Sequence, residues 1–341
     1  MGSSFPFQLQ EPADAGKPWV VLIHGLGMSQ RSWSDPFAEK LLGGVLSFDH
    51  VLTDLQASTG LALFSTAGRL AFSPPLRLSR PRPLSFWEFL KREGCGILSW
   101  SQEKPLGPID RAVGELQQLL GAIPRQEKIT LLGHSRGGLV ARKYLQDRRP
   151  GWNRISGVVL LGVPNHGSGI AKLGRFLARP LSLLGGGKIH PSLPLQIDKN
   201  GSKTFRIRNF AANGFEGGVG ELVPRSAFLR SLIAGEGEES SNNVSYLNVI
   251  GTRTDFIRFY LRLSPAGRVK PVFSLFDGLE RILPPSLLPP EIRQGRGDGQ
   301  VSLRSAWLPW AGKNIRVPAN HAQLLVNPEV QGEVGKFLKT V

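Results

Sequence analysis

Residues 133–137, Gly-His-Ser-Arg-Gly, place a single hydroxyl between two glycines. An apolar run at residues 129–132 leads into the pentapeptide, and an apolar stretch with helical spacing follows it. Between a strand and a helix, a G-x-S-x-G turn holds its serine in a strained backbone conformation at the end of a sheet. The glycines are expected because side chains there would collide with the neighbouring strand or helix. The following helix aims its positive dipole end at the turn, which favours negative charge on a reacting oxygen. Ser135 is therefore read as an exposed nucleophile.

A serine hydroxyl needs a base to take its proton. The chain has six histidines. His24 ends the first apolar run and belongs to a backbone loop, while His134 adjoins the serine and, in a turn, points away from it. His50 and His190 fall in irregular stretches, and His166 is read as shaping its own loop. His321 stands after the last apolar run and before the final helical pattern, where the chain order Ser…Asp…His places the base. An imidazole in turn needs a carboxylate to fix its tautomer. Asp255 and Asp298 both lie in the right interval, and spacing alone does not separate them. The N–H groups of Leu26, in His-Gly-Leu-Gly, and of Arg136 are the expected oxyanion donors, with no contribution from either side chain.

These residues must be positioned by regular elements. Unbroken apolar runs at residues 17–25, 96–100, 128–133, 155–164, 244–251 and 314–319 read as strands buried on both faces. Helical patterns separate them: residues 109–124, with Asp110 as expected N-cap, 137–150, and 329–341 at the end. The alternation specifies one α/β domain over residues 1–341, a mostly parallel central sheet with helices on both faces. Three stretches interrupt it, at about residues 43–84, 168–243 and 256–297. They are read as lid or cap insertions, with 168–243 the candidate lid, since long loops are usually functional.

Hydrophobic residues at 40% and charged residues at 20% fit a globular chain rather than a disordered one. The net charge of +16 is scattered, without aromatic-basic interleaving, so an affinity for anionic lipid surfaces, or simply a solubilising surface, fits it better than nucleic acid. The opening residues have no basic start or long apolar run, and Pro6 stands where myristoylation wants Ser or Thr, so the expectation is a cytoplasmic or peripheral membrane protein. Cys95 alone forms no internal disulfide and reads as an inert core thiol, and no Cys/His cluster suggests a metal.

The segments "VVLIHGLG", "LLGHSRGGLVARKYL" and "LLGVPNHGS", in that order, resemble the α/β-hydrolase lipases and esterases of bacteria. The tail from "DGQVSLRSA" to "NHAQLLVNP" is similar to their acid and base segments, and "GELVPRSAFLRSL" to the end of their lid region. The resemblance implies the α/β-hydrolase fold, Asp298 as acid and His321 as base, and no cofactor. It implies a serine ester hydrolase. The apolar, basic residues 173–184 and the Pro- and Leu-rich residues 272–290, either of which fits a lid that docks on an interface, favour a lipase acting on acyl esters of lipids, with a short-chain carboxylesterase or a lipid acyltransferase as alternatives. A non-catalytic binding module would be expected to lack one of the three residues. Val163 departs from the more usual threonine, and the three insertions have no evident counterpart.

Overall fold

The computed structural model describes residues 6–41, 46–47, 61–66, 69–73, 83–171, 196–197, 203–204, 217–254, 258–262, 269–274, 284 and 288–341. Its centre is a seven-stranded sheet. In chain order the strands are β1 (Phe7–Gln10), β2 (Trp19–Ile23), β3 (Gly96–Trp100), β4 (Ile129–His134), β5 (Ile155–Leu161), β6 (Ser245–Gly251) and β7 (Lys313–Val317). Their spatial order is β1-β3-β2-β4-β5-β6-β7. All neighbours pair in parallel except β1, which runs antiparallel along β3.

The period of two along β2 shows why its run is continuously apolar. Trp19, Val21 and Ile23 face one core, while Val20 and Leu22 face the other. Against the first face pack α2 (Ile109–Leu119), α3 (Arg136–Gln146) and α4 (Ala227–Ala234). Against the second pack α1 (Phe86–Arg92) and α6 (Pro328–Leu338), through Phe86, Leu90, Val330 and Val334. Between α4 and β6 lies α5 (Glu236–Ser241), whose Glu239 meets the buried Arg142 of α3 at 2.8 Å.

The chain runs from β2 out to β3 and then back across β2 to β4, so the ends of β2 and β4 flank a point where the strand order reverses. Crevices at such points are where ligands bind in open α/β sheets.

Asp110 is not the N-cap of α2. That position is Pro108, which offers no side-chain acceptor, and Asp110 sits in the first turn. The free N–H of Ile109 is instead accepted by Glu221 at 2.8 Å, from far along the chain. A second, four-stranded sheet, in the order Val269–Ser274, Arg258–Arg262, Leu61–Thr66 and Arg69–Ser73, joins the first and third insertions. The Arg258–Arg262 and Leu61–Thr66 strands pair in parallel. Most of the candidate lid, including residues 173–184, lies outside the described residues. Among the described residues no helix is long and apolar enough to cross a membrane.

Candidate active site

Ser135 is the hinge between β4 and α3. Its φ of 53° and ψ of −127° put a non-glycine residue in a sparsely populated region, strain that the surroundings must hold. Its N–H donates to the carbonyl of Leu161 at 2.8 Å. A Cβ on Gly133 would lie 2.5 Å from the backbone of Gly138, and one on Gly137 would lie 2.1 Å from the carbonyl oxygen of Ile23. The glycines are thus required by contact with α3 and β2, since neither has a positive φ. Ser135 is more enclosed than its sequence context implied, with 9% of its surface exposed. The loop after β2 covers it: a Cβ on Gly25 would stand 3.2 Å from the Ser135 Cβ.

His321, in the loop after β7, is buried and pairs through Nδ1 with Oδ2 of Asp298 at 2.7 Å. The other carboxylate oxygen accepts the N–H groups of Gln300 and Val301, at 2.9 and 2.7 Å. The His321 N–H closes the pair by donating to the Asp298 carbonyl at 2.8 Å. Nε2 of His321 is buried and makes no hydrogen bond, including none to Ser135. Such contacts commonly tighten only with substrate in place. His134 ties this loop to the nucleophile turn, its Nε2 lying 3.0 Å from the His321 carbonyl oxygen and its ring 4.6 Å from the His321 ring. Burial and the neighbouring His321 hold the His134 imidazole well below its ordinary pKa, so it stays neutral.

The Leu26 N–H pairs with no backbone carbonyl among the described residues. The Arg136 N–H opens α3, where first-turn donors have no partner within the helix. The model of the family described as Alpha/beta hydrolase family matches residues 20–326. The chain belongs to this family.

Solved structures share the hydrolase's architecture at low identity. A mature lipase of Bacillus licheniformis aligns with 16% identity and a TM-score of 0.52, covering 98% of each chain. The propeptide form of that lipase aligns at 15% and 0.55, over 98% of this chain and 54% of the other. A metagenomic carboxyl esterase aligns at 13% and 0.51, over 96% and 77%. At such identities the likeness is one of fold. No curated protein matches the hydrolase in sequence.

The side chain of Arg136 is built into the interior beside the turn. Its guanidinium is fully buried and donates to the side-chain oxygen of Gln102 and, at 2.6 Å, to the carbonyl of Gly107. Burial pushes its pKa down to about 10, with the charges of Glu221 and Glu115 opposing, so it stays a cation at neutral pH. Sequence reasoning missed these contacts because Gln102 and Gly107 lie far from Arg136 in the chain. It likewise missed Gly162, whose φ is 58° and whose added Cβ would stand 3.0 Å from both Asp298 Oδ2 and His321 Nδ1.

The other titratable candidates sit elsewhere. Nε2 of His24 accepts the Gln102 N–H at 2.9 Å, which puts its proton on Nδ1, donating to the Gly25 carbonyl. Burial lowers its pKa to about 4, with nearby Arg136 adding to the fall. His166 pairs with the carbonyl of Ser305 at 3.0 Å and clamps its loop. Cys95 is buried, its thiol pushed up to about 11. His50, His190 and Asp255 lie outside the described residues. Among the described residues no group of three or more His, Cys, Asp or Glu could hold a metal ion.

Proposed function

We propose that the hydrolase cleaves carboxylic esters through an acyl-enzyme on Ser135. The observation that carries this reading is the strained serine between β4 and α3, whose neighbour His134 packs on a buried imidazole oriented by a doubly braced carboxylate. His321 takes the Ser135 proton as the oxygen attacks the ester carbonyl. The tetrahedral oxyanion is met by the N–H groups of Leu26 and Arg136. His321 then gives the proton to the leaving alkoxide, and water repeats the sequence to release the acid. Asp298 keeps the proton of neutral His321 on Nδ1 and stabilises the cation that forms in each half-reaction.

Within that chemistry we favour a lipase acting on long-chain acyl esters of lipids. The support lies in sequence: the apolar and basic residues 173–184, the Leu- and Pro-rich residues 272–290, and a net charge of +16 suited to an anionic interface. A short-chain carboxylesterase and a lipid acyltransferase use the same groups. The test compares wild type with Ser135→Ala on soluble short-chain esters and on emulsified long-chain triacylglycerols. The reading expects wild-type rates to rise with acyl length at an interface and to vanish in Ser135→Ala. Loss of activity as the chain lengthens removes the lipase, and fatty acid moved onto a lipid alcohol instead of water makes it a transferase.

A further inference from the structure

One buried polar chain beside the nucleophile takes no part in the chemistry described above. It runs from Arg136 through Gln102 to His24, each almost fully buried. The two ends of this chain are the residues that carry or precede the two oxyanion donors: Arg136 supplies one N–H, and His24 lies two residues before Leu26, which supplies the other.

We infer that Gln102 is the positioning residue of the oxyanion hole, its amide setting the β2 loop at a fixed height against the first turn of α3. The inference rests on the proposed serine mechanism. The amide orientation is unambiguous, because a guanidinium only donates and a carbonyl only accepts. Oε1 of Gln102 therefore takes the Arg136 donor, and Nε2 donates to the His24 carbonyl at 3.1 Å. The Gln102 backbone N–H adds a third bond, to Nε2 of His24 at 2.9 Å. His24 continues the chain to the Gly25 carbonyl, which belongs to the same peptide group as the Leu26 N–H.

The strand ladder does not do this work. The pairing of β2 with β4 ends at Ile23 and Gly133, before either donor. Past that point the loop's hydrogen bonds run from Gly27 N–H to the Pro105 carbonyl at 3.0 Å, from Gln30 N–H to Ser101 Oγ at 3.2 Å and from Ser29 Oγ to Glu39 at 2.7 Å, and the Gln102 contacts are the ones next to Leu26. Arg136 fits a positioning part for a second reason. Among the described residues its guanidinium has no carboxylate within hydrogen-bond distance, and its Nε is buried without a partner. A buried cation arranged in this way is costly. It is oriented by an amide and by the Gly107 carbonyl, both from the segment that follows β3.

Gln102→Met removes both amide contacts at similar volume. Gln102→Glu keeps the acceptor for Arg136 but sets a second oxygen against the His24 carbonyl. Both are compared with wild type on p-nitrophenyl butyrate, after titrating active sites to completion with a fluorophosphonate, and an alkyl trifluoromethyl ketone reports binding of a tetrahedral oxyanion. The expected result is a fall in kcat on the order of tenfold to a hundredfold, with KM within about twofold. Ketone affinity should fall by the factor lost in kcat, a correlation that simple loss of folded protein does not produce. Should Gln102→Met fail to fold, the isosteric Gln102→Glu decides. If Gln102→Glu also fails to fold, the amide is holding the fold rather than the donors, and the inference is overturned. Wild-type kcat and ketone affinity in a folded variant overturn it as well. Ser135→Ala is run alongside: activity surviving there defeats the serine mechanism itself, whereas activity abolished there with Gln102 variants unaffected defeats only the positioning role.

Discussion

Nδ1 of His321 and Oδ2 of Asp298 lie 2.7 Å apart, while the other oxygen of the same carboxylate is occupied by two backbone N–H groups. The second fact decides what an amide would do at this position. In Asp298→Asn the carbonyl must stay with Gln300 and Val301, so the NH2 turns toward His321. The imidazole then has to accept at Nδ1 and carry its proton on Nε2, where it no longer acts as a base. The expected loss in kcat/KM is about 10³- to 10⁴-fold, with little change in thermal midpoint. Steady-state kinetics beside a melting curve check both halves.

Gly162 follows β5 and lies against the Asp298–His321 pair. An added methyl would press on Leu324 Cδ1 at 2.8 Å as well as on the Asp298–His321 pair, and the backbone there has positive φ. Gly162→Ala is expected to lower kcat on the order of a hundredfold by displacing the imidazole. Gly114, inside α2, has open space around its missing Cβ. Gly114→Ala is the control, expected to keep wild-type kcat and to gain about 1 kcal/mol in helix propensity. Kinetics and urea denaturation of the two variants separate crowding of the site from any general intolerance of alanine.

Stability should decline as the solution is acidified, for a reason located at His24. The fold holds this histidine near 4, against 6.5 for an unperturbed one. Between those values the unfolded chain binds a proton that the folded chain refuses. The contribution is therefore complete above about pH 6.5 and is lost as pH falls toward 4, amounting to about 3 kcal/mol. His134, also held low by burial, acts in the same direction. Urea midpoints measured between about pH 7 and about pH 5 should fall, and His24→Gln should make the fall shallower. An identical slope in that variant would show that His24 does not titrate on unfolding.

What was legible in the sequence follows from what kind of force holds each part. β2 through β6 are buried on both faces, so each reads as an apolar run, and the glycines of the Ser135 turn carry their own reason; β7, at the sheet edge, is instead buried only at Val317. β1 escaped notice because Phe7–Gln10, a four-residue antiparallel edge strand, alternates apolar and polar residues and has none fully buried. The Glu221 cap on Ile109, the buried Arg136–Gln102 contact and the crowding at Gly162 were hidden for a common reason. Each depends on a partner distant in the chain, which no local pattern encodes. Spacing left Asp255 and Asp298 equal, and only the resemblance of the tail favoured the residue found against His321. The pairing of the first and third insertions in one sheet had no periodic signal either, since Pro, Arg and Ser interrupt both.

The central claim is that the Ser135 oxygen is the atom that becomes acylated, with His321 as its base. Reaction with a fluorophosphonate followed by peptide mapping tests it most directly. The account predicts a single stoichiometric adduct on Ser135, absent in Ser135→Ala and strongly slowed in His321→Ala. An adduct mapped to a different residue, or undiminished ester cleavage by Ser135→Ala, would contradict it.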